Sequence, residues 1–311
     1  MYKVRSNAYP MAAHARLSAL QLRLSTTRAR ISVGLAMNTA PDQYGVIGHP
    51  VAHSWSPFIH GLFAKQTKQT MVYRRFDVPP AKFRKHVMHF FLHGGRGLNV
   101  TLPHKVSAAE LANELTPRAE QARAINTLMM MNEKEIVGDN TDGEGLVRDL
   151  QKNCGVPVTA MRVLILGAGG AVRGVLAPLL ALNPTEIVIA NRTAARASAL
   201  ARDFATLGTL IGCGFDSALL THFDLIINAT SASMDGDAPA VAATVVNGHT
   251  ICYDMAYSKE KTPFVRWAES HDCARALQGW GMLVEQAAES FTVWRGVRPD
   301  TKPVLQALIA S

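Results

Sequence analysis

Two kinds of residue cluster in this chain could do chemistry. The first is the run Val163-Leu-Ile-Leu-Gly-Ala-Gly-Gly-Ala-Val-Arg-Gly174. An apolar, strand-like stretch enters Gly167, Ala168, Gly169, Gly170 and Ala171, and a helix-like stretch leaves them. Glycine suits a tight turn whose backbone must approach a pyrophosphate closely. A helix starting there offers free N–H groups and a positive dipole end to phosphate. The strict G-x-G-x-x-G spacing fails, because its third glycine falls at Val172, and Pro178 predicts a kink in the helix. A glycine turn alone is also an ordinary structural turn. The strand before it and the helix after it favour a dinucleotide. The next strand ends at Asn191-Arg192-Thr193. An NAD site usually carries an acid there to hold the ribose 2′-OH. Here Asn191 is followed by Arg192 and Arg196, whose guanidinium groups can pair with a 2′-phosphate. The pattern reads as an NADP site.

The second kind is a set of four polar clusters upstream: His53-Ser-Trp-Ser-Pro57, Asn99-Val-Thr-Leu-Pro-His-Lys105, Ala124-Ile-Asn-Thr127 and Gly138-Asp-Asn-Thr-Asp-Gly143. Hydride transfer to a ketone needs a group that protonates or stabilises the developing alkoxide. Lysine and aspartate are suitable types. Singly, each cluster also reads as a cap or turn, with Ser54, Ser56 and Asp142 as helix caps.

The elements that must position these residues alternate between strand and helix. Strands are expected at 44–48, 71–78 and 97–101, helices at 57–69 and 79–92, a hairpin over 126–138, and a helix from about Asp142. Pro57 at a first helical position, with Ser56 as its cap, sets the start of the first helix. A second series follows: strands at 162–166, 186–190, 224–228 and 250–254, and helices at 171–182, 193–206, 282–295 and 302–310. Gly155–Val158 reads as a linker. Such alternation implies an α/β fold with parallel sheets covered by helices. Ligand sites are then expected at strand ends and helix starts.

Bulk properties narrow the class. The 311 residues are 48% hydrophobic and 18% charged, and the net charge is +8. Residues 1–41 hold six basic residues and no acid, leaving 26 basic against 24 acidic residues beyond them. That near neutrality excludes a nucleic-acid reading based on charge. No apolar run reaches the ~20 residues of a membrane helix, so a soluble protein is expected. Cys154, Cys213, Cys252 and Cys273 form no C-x-x-C pair. A reducing, cytoplasmic location fits. The N-x-S/T sequons at Asn99, Asn191 and Asn228 read as chance matches. Segment 1–41 has the Arg-rich, acid-free composition of an organelle transit peptide. A start misplaced upstream of Met37 fits it better. Under either reading it is expected to be disordered or not native.

Taken in order, the segments Tyr44–Pro57, Asn99–Lys105, Ala124–Thr127, Gly138–Gly143, Gly167–Ala171, Asn191–Thr193, Asn228–Ser231, Tyr253–Tyr257 and Gly279–Gln286 resemble those of the shikimate dehydrogenases. The resemblance covers nearly everything from Tyr44 to Pro303. It implies two α/β domains: a substrate domain of residues 42–142 plus 281–311, and a Rossmann-type NADP domain of residues 143–280. It implies reversible reduction of 3-dehydroshikimate to shikimate by NADPH, with Lys105 and Asp142 catalytic. Ser54 and Ser56, with Tyr257 near, would hold the substrate carboxylate. Thr101, Asn126, Asp142 and Gln286 would bind ring hydroxyls. Gly167, Ala168, Gly169, Gly170, Ala171, Asn191, Arg192, Thr193, Arg196, Met255 and Gly279 would bind NADP. Two departures stand out. Trp55 lies between the serines where the family often has a basic residue, and Pro117 lies where it often has an acid.

Other readings stay in view: a quinate/shikimate dehydrogenase of broader cofactor use, and a non-catalytic metabolite sensor. The missing acid at Asn191 opposes NAD, and the intact Lys105/Asp142 set opposes the sensor. His86, His89 and His93 share a helix face, but no H-E-x-x-H or Cys partner accompanies them, so a solvated face is expected rather than a metal site. Asp139 and Asp142 lack the odd-position spacing of a calcium loop. The oligomeric state is left open, a homodimer included.

Overall fold

The computed structural model describes residues 40–217, 222–230, 232 and 236–311. The basic segment before Ala40 lies outside them, and so does Ser231.

The described chain builds two six-stranded sheets. The first contains β1 (Asp42–Gly48), β2 (Met71–Asp77), β3 (Gly95–Val100), β4 (Glu114–Leu115), β5 (Thr127–Met131) and β6 (Glu135–Asp139), in the order β2-β1-β3-β5-β6-β4. β1 runs parallel to β2 and β3, while β5 is antiparallel to both β3 and β6. Its helices are α1 (Ser56–Gln66), α2 (Phe83–Leu92), α3 (Lys105–Ala109) and α4 (Pro117–Ala122). The expected helix over 79–92 opens as a 3₁₀ turn at Pro80–Lys82 before α2. Ser56 is not the cap expected of it. Its own N–H donates to Ser54 Oγ at 3.3 Å, so Ser54 satisfies the amide.

α5 (Asp142–Arg148) runs into a π turn at Asp149–Asn153 and leads to the second sheet. That sheet contains β7 (Arg162–Leu166), β8 (Glu186–Ala190), β9 (Leu210–Cys213), β10 (Leu225–Asn228), β11 (Ile251–Asp254) and β12 (Arg275–Gln278). All pairings are parallel, in the order β12-β11-β10-β7-β8-β9. This is the doubly wound order, and the winding reverses between β7 and β10, where such sheets bind ligands. Its helices are α6 (Gly170–Leu180), α7 (Ala194–Phe204) and α8 (Pro263–Glu269). The chain then returns through α9 (Trp280–Arg295) and ends in α10 (Thr301–Ile309).

Both faces of β7 are buried, which is why it reads as a continuous apolar run. Val163 and Ile165 pack with Leu146, Leu150, Val172, Val175 and Met282, while Leu164 and Leu166 pack with Phe223, Ile226, Val245 and Phe264. Each fully buried side chain of this size contributes about 1.5–3 kcal/mol. Along α9, Val284, Ala287, Ala288 and Phe291 form an apolar stripe at helical spacing. That stripe packs on Ile59 and Phe63 of α1 and on Val304 and Leu308 of α10.

Where α5 crosses α6 there is no room for a side chain. A Cβ on Gly143 would lie 2.4 Å from Pro178 Cγ and 2.5 Å from the Gly174 carbonyl. Gly174, two residues beyond the place where the fingerprint puts its third glycine, supplies the close approach. Pro178 falls in the last turn of α6, and its ring covers Gly143. Among the described residues no helix is long and apolar enough to cross a membrane.

Candidate active site

Lys105 opens α3, directly after the loop that leaves β3. His104 anchors that loop: its Nε2 lies 2.7 Å from the Val78 carbonyl, and its ring stacks on Phe83 at 4.4 Å. Burial holds this imidazole below its ordinary pKa, so it stays neutral and donates to the carbonyl. Asp142 opens α5, just beyond β6. Lys105 Nζ and Asp142 Oδ2 lie 2.5 Å apart, with side chains 14% and 6% exposed. A pair so shielded from water is costly to break by removing one partner.

Asn126 ties this pair to the returning helix. Its Nδ2 donates to Asp142 Oδ1 at 2.9 Å and lies 3.1 Å from Gln286 Oε1, while its Oδ1 accepts the Thr141 N–H at 2.8 Å. Behind it, Asn99 and Thr127 of two of the polar clusters join Tyr73 and Ser290, which the sequence did not single out. Tyr73 donates to Asn99 Oδ1 at 2.7 Å, and Asn99 Nδ2 donates to Ser290 Oγ at 2.9 Å and to Thr127 Oγ1 at 3.2 Å. A buried asparagine inside the apolar strand β3 was the available signal.

The two serines lie side by side, with Ser54 Oγ and Ser56 Oγ 3.1 Å apart. Arg75 holds their turn by donating twice to the Ser54 carbonyl, at 2.9 and 2.7 Å. Trp55 meets Trp280 edge-on at 6.2 Å, and Tyr257 lies 4.6 Å from Trp280. Two indoles thus connect Tyr257 to the serine turn. Burial pushes the Tyr257 phenol up to about 12, so it remains a donor. Thr101 directly follows β3, its methyl 2.4 Å from where a Gly48 Cβ would be.

The glycine turn abuts the ion pair. Gly167 has φ +113°, which side chains rarely adopt, and a Cβ there would come 3.1 Å from the Ala229 carbonyl. A Cβ on Gly169 would meet nothing within 4 Å, whereas one on Gly170 would lie 3.7 Å from Lys105 Cβ. Ala168 lies within the turn and Ala171 in the first turn of α6, whose start has no side-chain cap. The first-turn N–H groups are thus available to a phosphate. At the end of β8, Asn191 Nδ2 donates to the Thr193 carbonyl at 3.0 Å, and Arg192 and Arg196 are exposed. Met255 and Gly279 touch: a Gly279 Cβ would lie 2.5 Å from the Met255 carbonyl oxygen.

Asp139 belongs to a different unit. Arg118 grips both its oxygens, at 2.7 and 2.5 Å, and reaches Glu289 at 2.9 Å. On α2 His86 rests on Phe76, and the His89 ring lies 3.9 Å from that of His93, just past the helix. Among the described residues no group of three His, Cys, Asp or Glu side chains could hold a metal ion.

A doubly wound sheet whose glycine turn touches a shielded lysine–aspartate pair defines a dinucleotide-dependent α/β oxidoreductase. Comparison with known proteins narrows the class. Residues 46–128 match the model of the shikimate dehydrogenase substrate binding domain, residues 149–237 that of shikimate / quinate 5-dehydrogenase, and residues 279–309 that of the shikimate 5′-dehydrogenase C-terminal domain. The shikimate dehydrogenase (NADP(+)) of Methylococcus capsulatus is 53% identical over 272 residues, covering 88% of this chain and 98% of the relative. The crystal structure of an Ael1 enzyme from Pseudomonas putida matches with a TM-score of 0.80 at 46% identity, covering 86% of this chain and 98% of that one. The shikimate 5-dehydrogenase of Thermus thermophilus, solved with NADP(H) and shikimate, matches with a TM-score of 0.76 at 30% identity, again over 86% and 98%. This chain belongs to the shikimate dehydrogenase family.

Proposed function

We propose that this chain catalyses the reversible NADPH-dependent reduction of 3-dehydroshikimate to shikimate, on the path to chorismate and the aromatic amino acids. It is an NADP-dependent oxidoreductase, and the observation that carries the residue assignment is the 2.5 Å contact of Lys105 with Asp142 beside the glycine turn. The residues present fit the cofactor. The open turn at Gly167–Ala171 receives the pyrophosphate, Asn191, Arg192, Thr193 and Arg196 the adenosine 2′-phosphate end, and Met255 and Gly279 complete the set. NADPH supplies the hydride when bound.

The chain's own groups supply the rest. Ser54, Ser56 and Tyr257 bind the substrate carboxylate. Thr101, Asn126 and Gln286 orient the ring through its hydroxyls. Asp142 holds Lys105 and a hydroxyl, and Lys105 Nζ donates its proton to the ketone oxygen as that oxygen becomes an alkoxide. In the oxidation direction Lys105 takes the proton back. The substrate domain comprises residues 42–142 plus 281–311, and the NADP domain residues 143–280. The four cysteines are free, which suits a reducing cytoplasm.

Replacing Lys105 with Ala tests the reading. kcat should fall about 10²–10⁴-fold, the usual worth of a positioned acid–base group, while KM for both substrates changes little. Full activity in Lys105→Ala would sink the assignment. Quinate is the second substrate to consider, because residues 149–237 match a shikimate / quinate family model.

A further inference from the structure

Asp149 is a buried carboxylate that the proposed chemistry does not use. It is 2% exposed and stands where α5 passes into the π turn. Seven residues separate it from Asp142, so the two aspartates share one face of the helical run, two turns apart. Asp149 Oδ2 accepts the Tyr253 hydroxyl hydrogen at 2.6 Å, and Oδ1 accepts from Asn153 Nδ2 at 2.9 Å. The carboxylate also accepts the backbone N–H of Met282, in the first turn of α9. Its charge therefore meets the positive end of a 16-residue helix. Gly281 makes this possible, because a Cβ there would lie 1.8 Å from Asp149 Oδ1.

The chain crosses between its sheets outward through α5 and back through α9. Asp149 ties both crossings to β11. α5 starts with Asp142, and α9 carries Gln286, which meets Asn126 beside Asp142. We infer that Asp149 is a positioning residue: by pinning α5 to the start of α9 it sets where Asp142 and Lys105 stand relative to the glycine turn. This rests on Lys105 and Asp142 being the catalytic pair.

The test compares Asp149→Asn, Tyr253→Phe and Lys105→Ala in the full chain. The measurements are kcat, both KM values, thermal midpoint, and the isotope effect on kcat with NADPH deuterated at the transferred position. In Asp149→Asn, kcat should fall about tenfold, the scale of a small misplacement, with each KM within about threefold. The isotope effect should rise as hydride transfer becomes slower. Tyr253→Phe should move the same quantities in the same direction by less, and it decides the matter if Asp149→Asn does not fold. A lowered midpoint with unchanged kcat and isotope effect would reduce Asp149 to a stabilising cap and overturn the inference. Full activity in Lys105→Ala would instead overturn the catalytic reading beneath it.

Discussion

At the level of single residues, the proposed cofactor preference rests on Arg192 and Arg196. Both are exposed at the end of β8, and each charge-assisted hydrogen bond to a phosphate is worth about 1.5–3 kcal/mol. Replacing both with Ala should raise KM for NADPH at least about tenfold and leave KM for NADH nearly unchanged. An unchanged NADPH/NADH ratio in steady-state assays would remove them from the 2′-phosphate role. These arginines, the glycine turn and the Lys105 and Asp142 motifs can be proposed from the sequence because each lies in a short run of fixed order. Asn99 was not assigned a role, because its partners Tyr73, Thr127 and Ser290 are up to 191 positions away. Linear order carries no register, so such a network emerges only when β3, β5 and α9 come together.

Close packing of elements makes the next claim. α5 must lie against α6 for Asp142 to reach Lys105, and Gly143 permits it. Gly143→Ala places a methyl 2.4 Å from Pro178 Cγ and should destabilise the fold by about 1–3 kcal/mol, the cost of overpacking. Chemical denaturation would measure this, and an unchanged midpoint would show that the helices can separate freely. The apolar central strands and the longer helices agree with the sequence expectation to within a few residues. The short edge strands do not, although the seven-residue edge strand β2 does. β9 has only Leu210-Ile-Gly-Cys213 and β12 only Arg275-Ala-Leu-Gln278, both half-buried or exposed. Neither offers enough alternation to reveal itself. α8 had a readable start, since Pro263 occupies its first turn and Thr262 Oγ1 accepts from Val265 N at 3.3 Å. It is only seven residues long, so it lacks a clear helical period.

For the whole molecule, His60 couples stability to pH. It is fully buried and stacks on Tyr73 at 4.3 Å among Phe63, Phe291 and Trp294. Burial lowers its pKa from 6.5 to about 3, so the folded chain keeps it neutral. Between those values the unfolded chain binds the extra proton. Stability from this site is therefore present above pH 6.5 and declines as pH falls toward 3, by about 1.4 kcal/mol per unit. His60→Phe should lose about 2 kcal/mol less than the wild type between pH 7 and 5 in urea unfolding. Equal losses would place the acid sensitivity elsewhere.

The same two-sheet architecture brings the proposed substrate residues of one sheet against the proposed cofactor turn of the other, so the pairing of substrate with cofactor is the property that tests the account most directly. Steady-state rates of the purified protein should be followed by NADPH or NADH absorbance with shikimate and quinate, each crossed with NADP and NAD. The account predicts the highest kcat/KM for shikimate with NADP, by at least about tenfold over every other pair, the worth of one well-placed polar contact. An equal or higher value for quinate or for NAD would contradict it.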